Sequence, residues 1–250
     1  MNGALIIARL NSLRLVKKNI LRILDLPMII HLANRIGKSK LIDQVIVATS
    51  DQPSDDPLEE VAEIYGIDCY RGSLDNLMER ITGAAEQYNC DHIVEILGDN
   101  PLLHSELIDD VLDQYFSTGS DYCANISTDY GDLAKGKKLF PVGLRVQVYK
   151  LSVAKEYTLY PEYLTNGKHP SAFIFENPEK YITEYIEAKE KWSFLNKPEL
   201  NFAVNYPKNL ELVKRIFEEH YSKDENFDLR AVSLQLEKKP DLYSLLGPEW

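Results

Sequence analysis

Short apolar runs alternate with amphipathic segments through the first half of the chain, and this alternation limits the fold more than any other feature. Strands are predicted over residues 4–8, 43–49, 68–70, 92–97 and 121–126, with helices over 27–36, 57–65, 76–88 and 105–116, the last capped by Ser105. Strands separated by helices at this spacing predict βαβ units, and hence a three-layer α/β fold with a mainly parallel sheet. Ligands of such folds bind at the carboxyl ends of the strands.

The second half is less regular. Residues 127–141 are predicted to be a loop, 142–149 and 200–205 strands, and 207–220 an amphipathic helix, with a further helix capped by Ser152. Residues 161–200 are predicted to be irregular structure with one or two strands. No linker or repeat divides the chain. We therefore expect one domain over residues 1–250, with an inserted subdomain at 139–190 and a helical tail at 221–250.

Charge and cysteine content restrict the partners. The chain has 28 Lys and Arg against 39 Asp and Glu, a net charge of −11, so its surface repels phosphate backbones and nucleic-acid binding is not expected. An anionic small substrate would need a pocket that gathers cations. Three widely spaced cysteines favour reduced thiols and a cytoplasmic location. No apolar run is long enough to span a membrane.

A basic loop follows the first predicted strand. Arg9, Arg14, Lys17 and Lys18 lie within ten residues, together with Ser12. Forked guanidinium groups, an ammonium group and backbone N–H donors are the groups that bind a polyphosphate. The alternative is an exposed helix start that carries Lys and Arg. The segment is neither a Walker A motif nor a GxGxxG motif.

A second polar feature follows the strand at 92–97. Gly98-Asp99 forms a predicted turn before Pro101, which places a carboxylate just beyond a strand end. Mg²⁺ takes one or two protein carboxylates and shares the phosphates of a nucleotide, so Asp99 is a candidate ligand. The alternative role for Asp99 is to cap the next helix.

These features occur in an order that resembles the cytidylyltransferases that make CMP-activated acidic sugars. Members include CMP-KDO synthetase, acylneuraminate cytidylyltransferase and spore-coat polysaccharide synthesis proteins. The resemblance covers about residues 3–217 and rests on Ile7-Ala8-Arg9, Ser12, Arg14-Leu15, Lys18, Pro27-Met28-Ile29, residues 45–51, Arg71-Gly72-Ser73, Arg80, residues 98–102, residues 141–144 and residues 204–213.

The resemblance implies a fold of the nucleotide-diphospho-sugar transferase type, a homodimer formed through 139–190, and transfer of CMP from CTP to an acidic acceptor with Mg²⁺ as cofactor. Carried over residue by residue, it implies a nucleotide site of Ala8, Arg9, Ser12, Arg14, Lys18, Arg71, Asn76 and Arg80, of which Arg9, Arg14 and Lys18 act in catalysis with Asp99; a metal site of Asp99 and Asn205; and an acceptor site of Gln147 and His169.

The chain departs from the family pattern at several positions. Val16-Lys17 replaces Pro-Gly, Asn76 replaces Asp, Glu95 replaces the Arg of the spore-coat branch, Gln147 replaces an acidic residue, Asn205 replaces the second metal Asp, and residues 168–171 replace Glu-His-Val-Thr. Asn205 brings no charge, so a weaker metal site is expected. A nucleotide-binding homologue with little or no catalysis is therefore the alternative function. A glycosyltransferase would need an Asp-x-Asp motif, of which Asp99 supplies only the first carboxylate.

Overall fold

The computed structural model describes residues 1–165 and 169–246. Its strands are β1 (Asn2–Ile7), β2 (Arg22–Ile23), β3 (Leu26–Pro27), β4 (Gln44–Ser50), β5 (Asp68–Gly72), β6 (His92–Leu97), β7 (Tyr122–Asn125), β8 (Gln147–Lys150) and β9 (Thr183–Ile186). Its α-helices are α1 (Met28–Ile36), α2 (Asp56–Ile64), α3 (Leu77–Gln87), α4 (Ser105–Thr118), α5 (Leu151–Ala154), α6 (Ala172–Phe175), α7 (Pro207–His220) and α8 (Leu229–Lys238). Short 3-10 turns cover residues 128–134, 155–159, 161–164, 190–195 and 240–245.

Seven strands form one sheet in the order β5-β4-β1-β6-β8-β7-β9. β4, β1 and β6 pair in parallel, as do β4 with β5 and β7 with β9. β8 pairs antiparallel with both of its neighbours, β6 and β7. The mainly parallel α/β fold is therefore confirmed, and the antiparallel strand β8 lies beside β6 at the centre of the sheet.

Apolar side chains cover both faces of the sheet because they alternate along the buried strands. Ala4 and Ile6 of β1 pack with α1, α2, α4, α7 and α8 on one face. Leu5 packs with α3, α5 and α6 on the other. In β6, Val94 and Ile96 face the first layer. Glu95 points to the second face, toward the layer that holds α6.

Several local predictions were wrong in detail. The cap of α4 is His104, whose Nδ1 accepts the Glu106 N–H at 3.2 Å, and Ser105 is the first helical residue. Ser152 lies inside α5 and does not cap it, because the helix already begins at Leu151. Helix boundaries that differ by one or two residues are expected when several neighbouring residues could begin the helix.

The strand predicted at 200–205 does not form. Its backbone runs extended beside residue 142, with one bridge between Val142 and Asn201 and a 2.7 Å hydrogen bond from the Phe202 N–H to the Val142 carbonyl. Gly143 allows this approach, because a Cβ there would lie 2.2 Å from the Ala203 nitrogen. Likewise, only residues 147–149 of the predicted strand 142–149 pair in the sheet, as part of β8.

No helix within residues 1–165 and 169–246 has both the length and the apolar character needed to cross a membrane. In the predicted tail, α8 is followed by the 3-10 turn at 240–245, and residues 247–250 lie outside the described part.

Candidate active site

A cavity of about 680 Å³ opens at the carboxyl ends of β1 and β6. Its wall combines the loop after β1, the start of α3, the turn after β6 and Pro170. Among the predicted site residues it brings together Ala8, Arg9, Ser12, Arg14, Lys18, Arg80 and Asp99. This is the position at which a parallel α/β sheet binds ligands.

A buried carboxylate holds the loop after β1 in place. Asp55 accepts the backbone N–H of Leu10 at 2.7 Å and the hydroxyl of Ser50. Asp55 is 1% exposed. The loop then turns at Lys17, whose φ is 55°. This is the left-handed conformation for which the family pattern supplies Gly, so the turn is retained although Lys occupies it. The role of Asp55 could not be predicted from the sequence, because nothing local links it to residue 10.

Four cationic side chains point at the cavity. Arg9 and Arg14 are exposed, and the Arg14 guanidinium lies 5.7 Å from the centroid of the Tyr206 ring. Arg80 is buried, donates to the Ser73 carbonyl at 2.8 Å, and keeps its Nε without a partner. Burial, and then the positive charge of Arg9, lower the pKa of Arg80. The positive charges of Arg9 and Arg80 repel each other, and an anionic ligand that binds between them would relieve this repulsion.

Lys18 supplies the fourth cation and joins two candidate metal ligands. Its Nζ lies 2.7 Å from Asp99 Oδ2 and 3.0 Å from Asn205 Oδ1. A 2.9 Å hydrogen bond from the Val204 N–H to the Asp99 carbonyl holds the Asn205 segment beside the turn. The structure thus places Asp99 and Asn205 together, as the resemblance implies, with an ammonium group between them.

The residues at this turn fit a cation that arrives with a nucleotide. Asp99 Oδ1 is buried, and no residue within 1–165 and 169–246 forms a hydrogen bond with it. Mg²⁺ accepts one or two protein oxygens and completes its shell with phosphates and water. Across residues 1–165 and 169–246, no group of three or more His, Cys, Asp or Glu could hold a metal by protein ligands alone.

Two predicted nucleotide ligands lie outside the wall of this cavity. Asn76 caps α3, with its Oδ1 accepting the Glu79 N–H at 3.1 Å. Arg71 forms ion pairs with Asp56 at 2.6 Å and Glu59 at 2.8 Å. Both side chains are thereby committed to local partners.

The two predicted acceptor residues meet in a buried network around Glu95. Gln147 is 1% exposed and donates from Nε2 to Glu95 Oε1 at 3.1 Å. Its Oε1 accepts from Tyr122 at 2.6 Å and from Arg145 at 2.7 Å. With both ends of the amide engaged, Gln147 positions other groups and is not part of the wall of the cavity at the ends of β1 and β6.

His169 completes the network and reaches the surface of a second cavity. Its Nε2 lies 2.9 Å from Glu95 Oε1, and its Nδ1 lies 2.8 Å from the Ser171 hydroxyl oxygen. Burial alone would raise the pKa of the Glu95 carboxyl. His169 and Tyr149 outweigh burial, so that the pKa of Glu95 lies below its ordinary value. Lys168, the first residue of the segment compared with Glu-His-Val-Thr, lies outside the described residues.

Comparisons with known proteins give a family match and structures of similar fold. A family model described as "Cytidylyltransferase" matches residues 4–142. The spore coat polysaccharide biosynthesis protein SpsF of Bacillus subtilis is 25% identical over 96% of this chain and 97% of its own. A cytidylyltransferase structure from Leptospira borgpetersenii superposes with a TM-score of 0.85 at 23% identity, over 100% of this chain and 99% of that one. The structure of CMP:2-keto-3-deoxy-manno-octonic acid synthetase with CTP gives a TM-score of 0.63 at 17% identity, over 87% and 98%.

Proposed function

The chain belongs to the cytidylyltransferase family, and we propose that it transfers CMP from CTP to an acidic sugar or a related acid, with release of diphosphate. The observation that carries this proposal is the convergence of Arg9, Arg14, Arg80 and the Lys18–Asp99 pair on one cavity. In a protein of net charge −11, such a gathering of cations selects a polyanion of small size.

The transfer is a displacement at the α-phosphorus. A hydroxyl oxygen of the acceptor forms the new O–P bond, and its proton passes to water. The bond between the α-phosphorus and the bridging oxygen breaks, and diphosphate leaves with the electron pair. Reactions of this kind depend on positioning and charge stabilisation, so the contribution expected of this chain is electrostatic.

The cations have separate tasks. Arg9 and Arg14, on the exposed loop, reach the outer phosphates, and the loop N–H groups add neutral donors. Arg80 is rigid and buried, and its unpartnered Nε suits a fixed oxygen of the nucleotide. Lys18 is held by Asp99 and Asn205 and neutralises charge that grows on the leaving group.

Asp99 and Asn205 are the residues that would hold Mg²⁺. The ion, when bound, supplies positive charge that the α-phosphate and the leaving diphosphate share. Asp99 Oδ1 offers a free, buried oxygen, whereas Asn205 offers an uncharged one. We expect the metal to bind with the nucleotide and weakly in its absence.

The name of the Bacillus subtilis relative suggests a setting in surface polysaccharide synthesis. A homodimer formed through residues 139–190 and a cytoplasmic location belong to the same proposal. The chain would then activate an acid inside the cell for a later transfer step.

Calorimetry with CTP, ATP, GTP and UTP, each with and without Mg²⁺, tests the nucleotide half of the proposal. CTP is expected to bind most tightly, and more tightly with Mg²⁺. Release of diphosphate from CTP with a panel of sugar acids tests the transfer half. CTP binding without diphosphate release from any acid would instead favour a binding protein of little catalytic power, and an absence of nucleotide binding would contradict both.

A further inference from the structure

A second cavity, of about 670 Å³, lies beside the first. His169 lines it, whereas the next residue, Pro170, lines the first cavity. Because one cavity is lined by His169 and the other by the next residue, the two cavities lie on either side of the same short segment. A ligand in the second cavity would therefore lie next to a triphosphate in the first. Of the residues in this wall, only His169 is among the nucleotide, metal and acceptor residues that the resemblance implies.

Arg145 is the cation in this wall. It extends from the segment before β8, on the same face as Gln147, and lies with its guanidinium carbon 5.0 Å from the centroid of the Tyr130 ring. One terminal nitrogen donates to Gln147 Oε1 at 2.7 Å. Its Nε is buried and has no hydrogen-bond partner among the residues that the structure describes. The guanidinium is thus fixed in orientation, and not all of its N–H donors are used in hydrogen bonds.

Within residues 1–165 and 169–246, Glu95 is the carboxylate of the buried network, and both of its oxygens have other partners. Glu95 Oε1 faces His169 and Gln147, and Glu95 Oε2 accepts from the Tyr149 hydroxyl. None of the ion pairs formed within residues 1–165 and 169–246 includes Arg145. Burial lowers the pKa of Arg145, but Tyr130, Tyr122, Glu95 and Asp129 outweigh burial and raise it, so the guanidinium stays charged and can bind an anionic ligand.

The rest of the wall has a different character. Asp129 and Asp132 lie on the exposed 3-10 turn at one side, and Tyr130 and Phe175 provide aromatic surface. Carboxylates accept hydrogen bonds from hydroxyl groups, whereas a carboxylate of a ligand would be repelled by them. The polarity of the cavity therefore suits a molecule that is anionic at one end and rich in hydroxyl groups at the other.

We infer that the second cavity receives the acceptor and that Arg145 binds its carboxylate, while Asp129 and Asp132 accept hydrogen bonds from its hydroxyl groups. The ligand class is a polyhydroxylated carboxylic acid. This inference rests on the proposed function and adds to it the residue that selects an acid over a neutral sugar. Gln147 and Glu95 are positioning residues, because they orient Arg145 and His169.

The test compares Arg145→Gln and Arg145→Lys with the wild-type protein. Arg230→Gln is the matched control, since Arg230 also stacks on an aromatic ring, at 4.4 Å from Phe194, and lies outside both cavities. Diphosphate release from CTP is measured with 3-deoxy-manno-octulosonate, N-acetylneuraminate, glucuronate and galacturonate, and with the methyl ester of each. CTP affinity is measured by calorimetry in all variants.

We expect the wild type to use at least one acid and to prefer it to its methyl ester. Arg145→Gln is expected to lower kcat/KM for the acid by roughly 10- to 100-fold, mainly through KM, and to abolish the preference over the ester. Arg145→Lys keeps the charge and loses the fork, so a smaller loss is expected. CTP affinity is expected to stay within about twofold in every variant, and Arg230→Gln to behave as wild type.

Two results would overturn the inference. If Arg145→Gln and Arg145→Lys retain both the rate and the preference for the acid, the carboxylate is bound elsewhere while the proposed function stands. If the wild-type protein binds CTP but uses no acid of the panel, or prefers the esters, the proposed function fails and the acceptor site fails with it. If Arg145→Gln does not fold, the test rests on Arg145→Lys, whose rates with each acid and its methyl ester are compared with those of the wild type.

Discussion

The two neighbouring cavities differ in how their charged side chains are held and in where these residues lie along the chain. The first draws three of its cations, Arg9, Arg14 and Lys18, from one loop, and two of these are exposed. The second depends on Arg145 and His169, which come from separate segments and are joined through buried Gln147 and Glu95. Long exposed side chains can adjust to a flexible triphosphate, whereas a buried network presents one fixed arrangement. The difference suggests that nucleotide binding is adaptable and acceptor choice is rigid.

Among the residues of the first cavity, Asp99 is the one at which a substitution should have the largest effect. Asp99→Asn keeps the shape of the turn and removes the negative charge that pairs with Lys18 and offers a free oxygen. We expect turnover to fall about 100-fold and Mg²⁺ to cease to strengthen CTP binding. The measurements are diphosphate release and calorimetry with Mg²⁺ or EDTA. Unchanged turnover would show that the first cavity does not use this carboxylate.

A change at Glu95 tests the rigidity of the second cavity. Glu95→Gln removes a buried, hydrogen-bonded charge, and we expect the free energy of unfolding to fall by about 1–3 kcal/mol at neutral pH. CTP affinity is expected to remain unchanged. Urea unfolding measures the first quantity, and Glu60→Gln, on the exposed side of α2, is the matched control.

The same variant has a defined pH dependence. The pKa of Glu95 is lower in the folded protein than its ordinary value, so its stabilising contribution is present above that ordinary value and is lost as the pH falls through the folded pKa. The difference in stability between wild type and Glu95→Gln should therefore shrink in acid. A difference that grows as the pH falls would mean that the folded protein raises the pKa of this carboxyl.

Asn205→Asp sharpens the role of charge in the first cavity. A second carboxylate beside Asp99 is expected to lower the Mg²⁺ concentration needed for half-maximal CTP binding by about tenfold, because affinity for a hard cation rises with the number of charged ligands. Titration of Mg²⁺ at fixed CTP measures this. Asn205→Ala is the companion variant, and it should raise the concentration needed. Equal requirements in all three proteins would exclude residue 205 from the metal site.

The smallest expected effect concerns the loop of the first cavity. Lys17 holds a φ of 55°, a conformation that Gly adopts without strain. Lys17→Gly is expected to raise the free energy of unfolding by about 0.5–1 kcal/mol while CTP affinity stays within about twofold. Thermal unfolding gives the measurement. Asn89→Gly, at a φ of 56° outside both cavities, is the control and should give a smaller gain, because Asn tolerates this region.

Local patterns were sufficient for the regular part of the fold. The apolar runs that became β1, β4 and β6 were recognisable because strands buried on both faces are continuously apolar. The segment at 200–205 has the same local character, yet its backbone pairs with residue 142 outside the sheet. No local signal distinguishes these cases, since the choice depends on which backbone edges are free when the sheet assembles.

The residues of the candidate site also differ in whether local sequence could predict them. The loop at 9–18 was recognisable because its cations are close in sequence and follow a strand. Arg71 and Asn76 were predicted to bind nucleotide, and the structure gives them local partners in Glu59 and the start of α3. Arg145 was missed, although the predicted alternation from residue 142 to 149 already placed it on the same face as Gln147. This alternation is the sequence feature from which a role for Arg145 could have been predicted.

Three features could be predicted from the sequence alone, because each depends on residues adjacent in the chain: the alternating α/β order, the basic loop beyond the first strand and the Gly-Asp turn beyond the central strand. The position of Lys18 between Asp99 and Asn205, and that of Arg145 in the wall of the second cavity, are visible only in the folded chain. Those relations join residues far apart in sequence. Their energies depend on burial and on which donors and acceptors the folded chain has already used.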